Sequence, residues 1–399
     1  MKVILILTGT HGSGKTKWVQ DKGYYEYSLS KNQLRFMLFG PIFNMNNNFW
    51  TYDKQKDRIT HEEFLRILEM RIRTGGFIII DSTITRPRSF NVIESLAKKY
   101  GYTIYVKIFH PSLDECINNN KDRDNLYEQV PESLVKDKWN QMNDILIPHL
   151  RNKYSNNIID SLDDIGFNAM SYLYPSSDDK IHFIGDIHGD IVGLEKFLDE
   201  NWNDTDNFVF LGDYIDRGSN NRDVLERMIY LCQKPNVTVL EGNHELHLWC
   251  WSYDRPIVSG EFSVNTKPEL EINPDLKTKV RILLDKLKLY VTIPNYKIIA
   301  CHGGLSCHLL TKEYGMKYPI LDQGSFIRGH RFPIDNSEES DSAFDWNSSG
   351  WVHIHGHRNN MKNAPINPFP RVYNIDQYNN KIRVVTYNMK ENKYDTREY

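Results

Sequence analysis

Two groups of residues in this 399-residue sequence have the types and spacing that phosphate chemistry requires. The first is Gly9-Thr10-His11-Gly12-Ser13-Gly14-Lys15-Thr16, a G-x-x-x-x-G-K-[ST] pattern between an apolar run, Val3–Leu7, and a helix-like stretch from Lys15. Gly9, Gly12, Ser13 and Gly14 let backbone N–H groups curl around a polyphosphate, and the helix start adds favourable dipole charge. Lys15 can reach the β- and γ-phosphates and Thr16 can hold Mg2+, so ATP with Mg2+ is the expected ligand. The second group is five clusters in order: Gly185-Asp186-Ile187-His188-Gly189, Gly212-Asp213-Tyr214-Ile215-Asp216-Arg217-Gly218, Gly242-Asn243-His244-Glu245, His302-Gly303-Gly304 and Gly356-His357. Asp186, His188, Asp213, Asn243, His302 and His357 offer oxygen and nitrogen but no sulfur, a set that suits two divalent ions such as Mn2+ and tolerates Fe, Ni or Zn. Paired ions of this kind sit ~3.5–4 Å apart, activate a bridging water and clamp phosphate oxygens.

These residues need strands to carry them. In the first half, buried-strand runs at Val3–Leu7, Phe77–Ile80 and Tyr102–Phe109 alternate with helical stretches at Glu62–Ile72 and Ser89–Lys99. That alternation predicts a mostly parallel sheet with helices on both faces. In the second half, Ile181–Ile184, Phe208–Leu211, Val237–Leu240 and Lys297–Ala300 each run into one of the Asp, Asn or His clusters. Strand ends aim their loops at a common edge, so the clusters can converge. Turn-rich Tyr174–Asp179 marks the boundary, giving 1–160 as one domain, 161–179 as linker and 180–399 as the second. Val372–Tyr387 reads as the closing hairpin.

Composition excludes other classes. Apolar residues are 40% and charged residues 25%, which permits a packed core. No apolar run approaches the ~18 residues of a membrane helix, no signal-peptide pattern opens the chain, and Cys116, Cys232, Cys250, Cys301 and Cys307 lack paired spacing. A reducing cytoplasm is the expected location. The net charge of −3 hides an asymmetry: residues 1–160 carry 23 Lys and Arg against 18 Asp and Glu, and residues 161–399 carry 26 against 34. Recognition of strand ends at two local positive sites fits this better than broad basic-surface binding. Abundant Asn, Lys, Ile and Tyr match an AT-rich genome, in keeping with a phage source and host-cytoplasm location.

The first half resembles the kinase domain of polynucleotide 5′-kinases over roughly residues 1–155. Tyr27–Gly40, YSLSKNQLRFMLFG, is similar to that family's acceptor motif, Ile78–Thr83 to its strand ending in Asp-x-Thr, and Asn118–Pro131 to its phosphate-binding lid. The resemblance implies that Arg35 grips the acceptor phosphate and Arg123 is the second lid arginine. Asn32 stands where the general-base Asp belongs, and Asn119 where the first lid arginine belongs. Asn has no acid–base function, so the kinase step rests on positioning and electrostatics.

The second half resembles the calcineurin-like binuclear metallophosphatases, an α/β sandwich, with all five clusters in order. The resemblance implies that Asp186 and His188 hold one metal, Asp213 bridges, and Asn243, His302 and His357 complete the second. It further implies that His244 is the general acid, Asp216 orients it and Arg217 binds the phosphate. His355 is a competitor for the His357 role. His353 reads as structural, and His182 and His247 as packed or surface. The stretch GSFIRGHR offers Arg328 or Arg331 to a phosphate. The two domains together resemble end-healing enzymes, which implies a polynucleotide 5′-kinase/3′-phosphatase acting on RNA or DNA ends, with a separate RNA ligase as sealing partner. Alternatives are a phosphodiesterase with a binding-only phosphate loop, and a serine/threonine or diadenosine-polyphosphate phosphatase. The oligomeric state is open.

Overall fold

The computed structural model describes residues 2–44, 49–51, 54–162, 164–165, 170–176, 178–307, 323–329, 346–359 and 363–399. The chain divides into two compact units, Lys2–Ile165 and Gly166–Tyr399.

The first unit is built on a four-stranded parallel sheet in the order Ser28–Ser30, Ile78–Asp81, Val3–Thr8, Thr103–Ile108. The central strand is buried at every position from Val3 to Leu7, which explains its unbroken apolar run. The edge strand Ser28–Ser30 is too short and polar to stand out in the sequence. Helix Lys54–Thr74 includes the predicted Glu62–Ile72 and buries Phe64, Leu68 and Ile72 at helical spacing. Ser30 caps helix Lys31–Phe39 by accepting the Gln33 N–H at 3.4 Å.

The second unit is a sandwich of two five-stranded sheets. One runs Val237–Val239, Asn207–Phe210, Lys180–Ile184, Arg383–Asn388, Lys393–Glu398; the other runs Val372–Asn374, Val352–His355, Ile298–Cys301, Tyr290–Ile293, Met170–Tyr172. Strand parity assigns the core. Ile181, Phe183, Val209 and Leu211 meet Ile298, Ala300 and Ile354 between the sheets. Their neighbours Ile184, Phe208 and Phe210 face outward against Leu194, Phe197, Val224 and Met228 of the covering helices. Ile299 and Cys301 face the opposite way, against Phe326 and Trp346.

Two expectations are corrected. The stretch 161–179 is not simply linker, because Met170–Tyr172 pairs with Tyr290–Thr292 at the edge of the second sheet. Val372–Tyr387 is not one hairpin either. Val372–Asn374 runs parallel to Val352–His355 in one sheet, while Arg383–Asn388 forms its hairpin with Lys393–Glu398 in the other. Alternation marks a strand, but partner choice depends on tertiary packing.

Candidate functional site

In the second unit, the ends of Lys180–Ile184, Asn207–Phe210, Val237–Val239, Ile298–Cys301 and Val352–His355 deliver the five clusters to one place. Backbone hydrogen bonds tie these loops together: the Ile187 and His188 N–H groups donate to Asp213 O at 3.1 and 3.0 Å, and the Gly356 N–H donates to His302 O at 2.9 Å. The approach is so close that a β-carbon at Gly356 would lie 2.1 Å from Asp186 Oδ1, and one at Gly242 2.3 Å from Asp213 Oδ1. His188, Asp213, Asp216, Arg217 and His357 all have positive φ, between 47° and 72°. Such backbone costs about 1–3 kcal/mol per residue and persists only where the surroundings over-determine it.

Two three-residue sets have ligand atoms within 4.8 Å of one another: His188, Asp213 and His244, and Asp213, His302 and His357. Asp213 is common to both. Asn243 Oδ1 lies 3.3 Å from His302 Nε2, beside the second set. Asp186 touches both sides, with Oδ2 3.6 Å from His188 Nε2 and Oδ1 3.9 Å from His302 Nδ1. His188 Nδ1 is held by Ile215 O at 2.9 Å and His302 Nδ1 by Leu211 O at 3.0 Å, which leaves each Nε2 turned to the centre.

These residues fit divalent cations. Asp186 Oδ2, His188 Nε2, Asp213 Oδ2 and His357 Nε2 are buried polar atoms with no hydrogen-bond partner. Buried groups of this kind are normally satisfied, so four such atoms gathered in one place suit divalent cations. Burial opposes charge on His302, but Asp213 and Asp186 overcome it and push its pKa up to about 10. The two carboxylates therefore demand positive charge. Burial and the His302 charge push His357 down to about 3, a neutral imidazole suited to ligation.

His244 Nδ1 is 2.6 Å from Asp216 Oδ2, and its Nε2 is 3.7 Å from Asp213 Oδ2. Burial works against the imidazolium, yet the Asp216 hydrogen bond and the Asp213 charge raise its pKa to about 9. Arg217 is exposed beside it. His353 is fully buried, stacked on Trp346 at 4.5 Å, and its Nε2 accepts the Leu305 N–H at 3.1 Å. His355 Nδ1 pairs with Gly356 O at 3.0 Å, and His355 belongs to neither ligand set. His182 is buried against Phe208, and His247 packs against Phe262. Arg328 is exposed on Gln323–Arg328; Arg331 lies outside the described residues.

Two residues here escaped the sequence reading as site components. Glu245, 1% exposed, accepts the N–H groups of Gly242, Asp213 and Tyr214 at 2.7, 2.9 and 3.0 Å. Burial and the Asp213 charge raise its pKa to about 7. Asp376 sits against Asp186, and burial together with the Asp186 charge pushes it up to about 9. Its Oδ2 accepts the Asn359 N–H at 3.2 Å.

In the first unit, Lys15 is buried, with Nζ donating to Gly9 O at 2.7 Å, Thr10 O at 2.8 Å and Ser13 Oγ at 3.1 Å. Burial lowers its pKa to about 8. Gly14 has φ of 91°, and a β-carbon at Gly12 would lie 2.1 Å from Cys116 O. Thr16 Oγ1 donates to Asp81 Oδ2 at 2.8 Å. That hydroxyl–carboxylate pair is what a phosphate-loop site uses for Mg2+. Burial, and after it the charges of Lys15, Arg123, Lys138 and Arg35, hold His11 down at about 3. Asn119 Nδ2 donates to Gly12 O at 2.9 Å and so supports the loop. Arg123 Nη1 donates to Glu128 O at 2.6 Å. Arg35 joins Asn32 Oδ1 at 2.8 Å to Asp57 Oδ1 at 2.7 Å, and Lys31 lies 3.4 Å from the same carboxylate. Asp57 is the carboxylate that the sequence did not connect with this motif.

Residues 179–387 match the family described as calcineurin-like phosphoesterase. The chain belongs to the calcineurin-like phosphoesterases. Residues 4–148 match the family described as AAA domain, and the first unit is a P-loop, kinase-like domain. A bis(5′-nucleosyl)-tetraphosphatase PrpE (asymmetrical) of Oceanobacillus iheyensis is 24% identical over 53% of this chain and 90% of its own. A PP2A-like serine/threonine-protein phosphatase PPG1 of Candida albicans is 33% identical over 32% of this chain, which spans 29% of that protein's length. A solved serine/threonine phosphatase from Saccharomyces cerevisiae is 12% identical, covers 63% of this chain and 94% of its own, and has a TM-score of 0.40. Among the described residues no helix is long and apolar enough to cross a membrane.

Proposed function

We propose that the protein heals nucleic-acid ends, phosphorylating 5′-OH ends with ATP and Mg2+ and removing 3′-phosphate or 2′,3′-cyclic phosphate, with RNA as the substrate. The observation that carries the proposal is the pairing of two phosphate sites on one chain. One is the cluster of His188, Asp213, His244, His302 and His357, flanked by Asp186 and Asn243 and with His244 hydrogen-bonded to Asp216, and the other a phosphate loop that buries Lys15 and pairs Thr16 with Asp81. A donor and an acceptor site for phosphate on the same chain suit the two ends of one break.

In the phosphatase reaction, Asp186, His188, Asp213, Asn243, His302 and His357 would hold two divalent cations, Mn2+ being the expected ion. Bound there, the ions supply an activated water and charge neutralisation for the phosphate. Arg217 grips a phosphate oxygen through its planar fork. His244 Nε2 gives its proton to the leaving ribose oxygen, while Asp216 holds Nδ1 and fixes the ring. In the kinase reaction, Lys15 would exchange its loop carbonyls for the β- and γ-phosphates, and Thr16 with Asp81 would hold Mg2+. Arg35 holds the acceptor phosphate, and Arg123 neutralises the transferred group.

A second reading, hydrolysis of dinucleoside polyphosphates, is supported by the similarity to named tetraphosphatases along most of their length. One experiment addresses both. RNA with 5′-OH and 2′,3′-cyclic phosphate ends is incubated with ATP, Mg2+ and Mn2+ and both ends are mapped, with diadenosine tetraphosphate assayed in parallel. Lys15→Ala is expected to lose only 5′-phosphorylation, and Asp213→Ala only 3′-end clearance. Unchanged 3′-ends with rapid tetraphosphate cleavage would establish the second reading instead.

A further inference from the structure

No chemistry-bearing motif falls between Ser252 and Lys288, yet one helical segment in this stretch binds the loop that carries Asp216 and Arg217. It consists of a π-helical turn, Phe262–Thr266, continued by the α-helix Lys267–Glu271. Phe262 and Leu270 seat it in the core beside Leu225 and Met228. From that base it sends out three polar contacts. Glu261 Oε1 accepts the Arg217 N–H at 3.1 Å. The Thr266 hydroxyl, fully buried, donates to Asp216 Oδ1. Glu269 accepts Asn221 Nδ2 at 2.9 Å and the Arg222 N–H at 3.2 Å. Asn221 Oδ1 in turn accepts the Asp216 N–H at 2.8 Å.

The π turn makes this possible. In a regular α-helix, residues five apart stand about 140° apart around the axis. Bonding from i to i+5 brings them almost above one another, so Glu261 and Thr266 can both face one loop. That loop needs holding, because Asp216 and Arg217 are successive non-glycine residues with φ of 70° and 65°. Left-handed backbone of this kind persists only where contacts over-determine it.

We propose that Thr266 is a positioning residue for leaving-group protonation, and that Glu261–Glu269 is a clamp that keeps Asp216 and Arg217 in their working geometry. The inference rests on the phosphatase reading above. With Oδ1 tied to Thr266, Asp216 presents Oδ2 to His244 Nδ1 and leaves Nε2 facing the reacting centre. As the attacking water forms the new P–O bond and loses a proton to solvent, the old P–O bond breaks with its electron pair on the leaving oxygen. That oxygen takes the His244 Nε2 proton, and solvent water returns one to the ring. Without the Thr266 hydroxyl the Asp216 carboxylate can turn, and proton delivery loses its aim. Only leaving groups that need a proton then suffer.

The test uses the full chain with Mn2+ and two substrates, a nucleoside 3′-monophosphate and p-nitrophenyl phosphate, whose phenolate leaves without a proton. General acid catalysis contributes ~10²–10⁴-fold, so Thr266→Val is expected to lower kcat on the nucleotide ~10–100-fold and on the nitrophenyl ester under ~3-fold. Thr266→Ser, which keeps the hydroxyl, should stay within ~3-fold of wild type on both. The ratio of the two rates in one preparation does not depend on the fraction folded, so Thr266→Ala remains informative even if Thr266→Val folds poorly. Equal losses on both substrates, or no loss on either, overturn the proposal while the phosphatase reading stands. Wild type that hydrolyses neither substrate overturns both.

Discussion

Replacing Glu245 with Gln changes one atom and tests how the ligand loops are held. Glu245 Oε2 accepts from Gly242 and Asp213, and Oε1 from Tyr214. An amide has a single acceptor oxygen. Its best orientation keeps the Gly242 and Asp213 bonds and turns the NH2 group toward the Tyr214 N–H. One charge-assisted bond is lost, two become neutral, and the Tyr214 N–H stays buried without a partner. Bonds to charged groups contribute ~1.5–3 kcal/mol against ~0.5–1.5 for neutral ones, and a buried orphan costs ~1–3. Set against this is the relief of a buried charge next to Asp213, which raises the Glu245 pKa to about 7. The net expectation is a loss of ~2–4 kcal/mol, or about 4–8 °C in the melting of a domain of this size. Scanning calorimetry of the full chain at pH 8, where Glu245 is ionised, reads it in the transition that Mn2+ shifts. A melting temperature within about 1 °C of wild type would falsify the claim that three backbone N–H groups depend on this carboxylate.

Other outcomes follow from the same geometry. Two bound ions stabilise the second unit, so saturation at ~100 times the dissociation constant should add ~2.7 kcal/mol per site, and a chelator should lower its melting temperature by several degrees; no shift contradicts the cation cage. Gly356→Ala places a β-carbon against Asp186 Oδ1 and should weaken Mn2+ binding, measured calorimetrically, by at least ~10-fold. Asn32→Asp puts a carboxylate on Arg35 at the acceptor site and should raise kcat for 5′-phosphorylation ~100-fold; an unchanged rate points to Asp57 as the carboxylate already in use. Burial lowers the His182 pKa from 6.5, opposed by Asp206 at 3.4 Å. The unfolded chain takes up this proton first, so stability should fall as pH drops below 6.5 and fall less in His182→Gln, read by denaturant melts at several pH values.

The strand-end clusters were legible in the sequence because each rests on local rules. An apolar run ends, the chain must turn, and glycine is the only residue that fits where loops touch, as at Gly356 against Asp186. The same holds for the Gly12 and Gly14 turn before Lys15. Glu245, Thr266, Asp376 and Asp57 were not legible as site components. Thr266 meets Asp216 across 50 residues and Asp57 meets Arg35 across 22, by helix packing that leaves no spacing to read. Partner choice at the end of the fold was hidden for a similar reason. Val372–Asn374 and Arg383–Asn388 look alike as strands, and only the tie of the Ile375 N–H to His355 O and the antiparallel register with Ile184–Lys180 send them to different sheets.

The most direct test of end healing is a sealing assay. A broken RNA with 2′,3′-cyclic phosphate and 5′-OH ends is incubated with the full chain, ATP, Mg2+ and Mn2+. An RNA ligase that accepts only 3′-OH and 5′-phosphate ends is then added. Sealed product requires both activities. The account predicts sealing with wild type and none with Lys15→Ala or Asp213→Ala alone, restored when the two variants are mixed. Absence of sealing with wild type, although the ligase joins a pre-healed control, would contradict it.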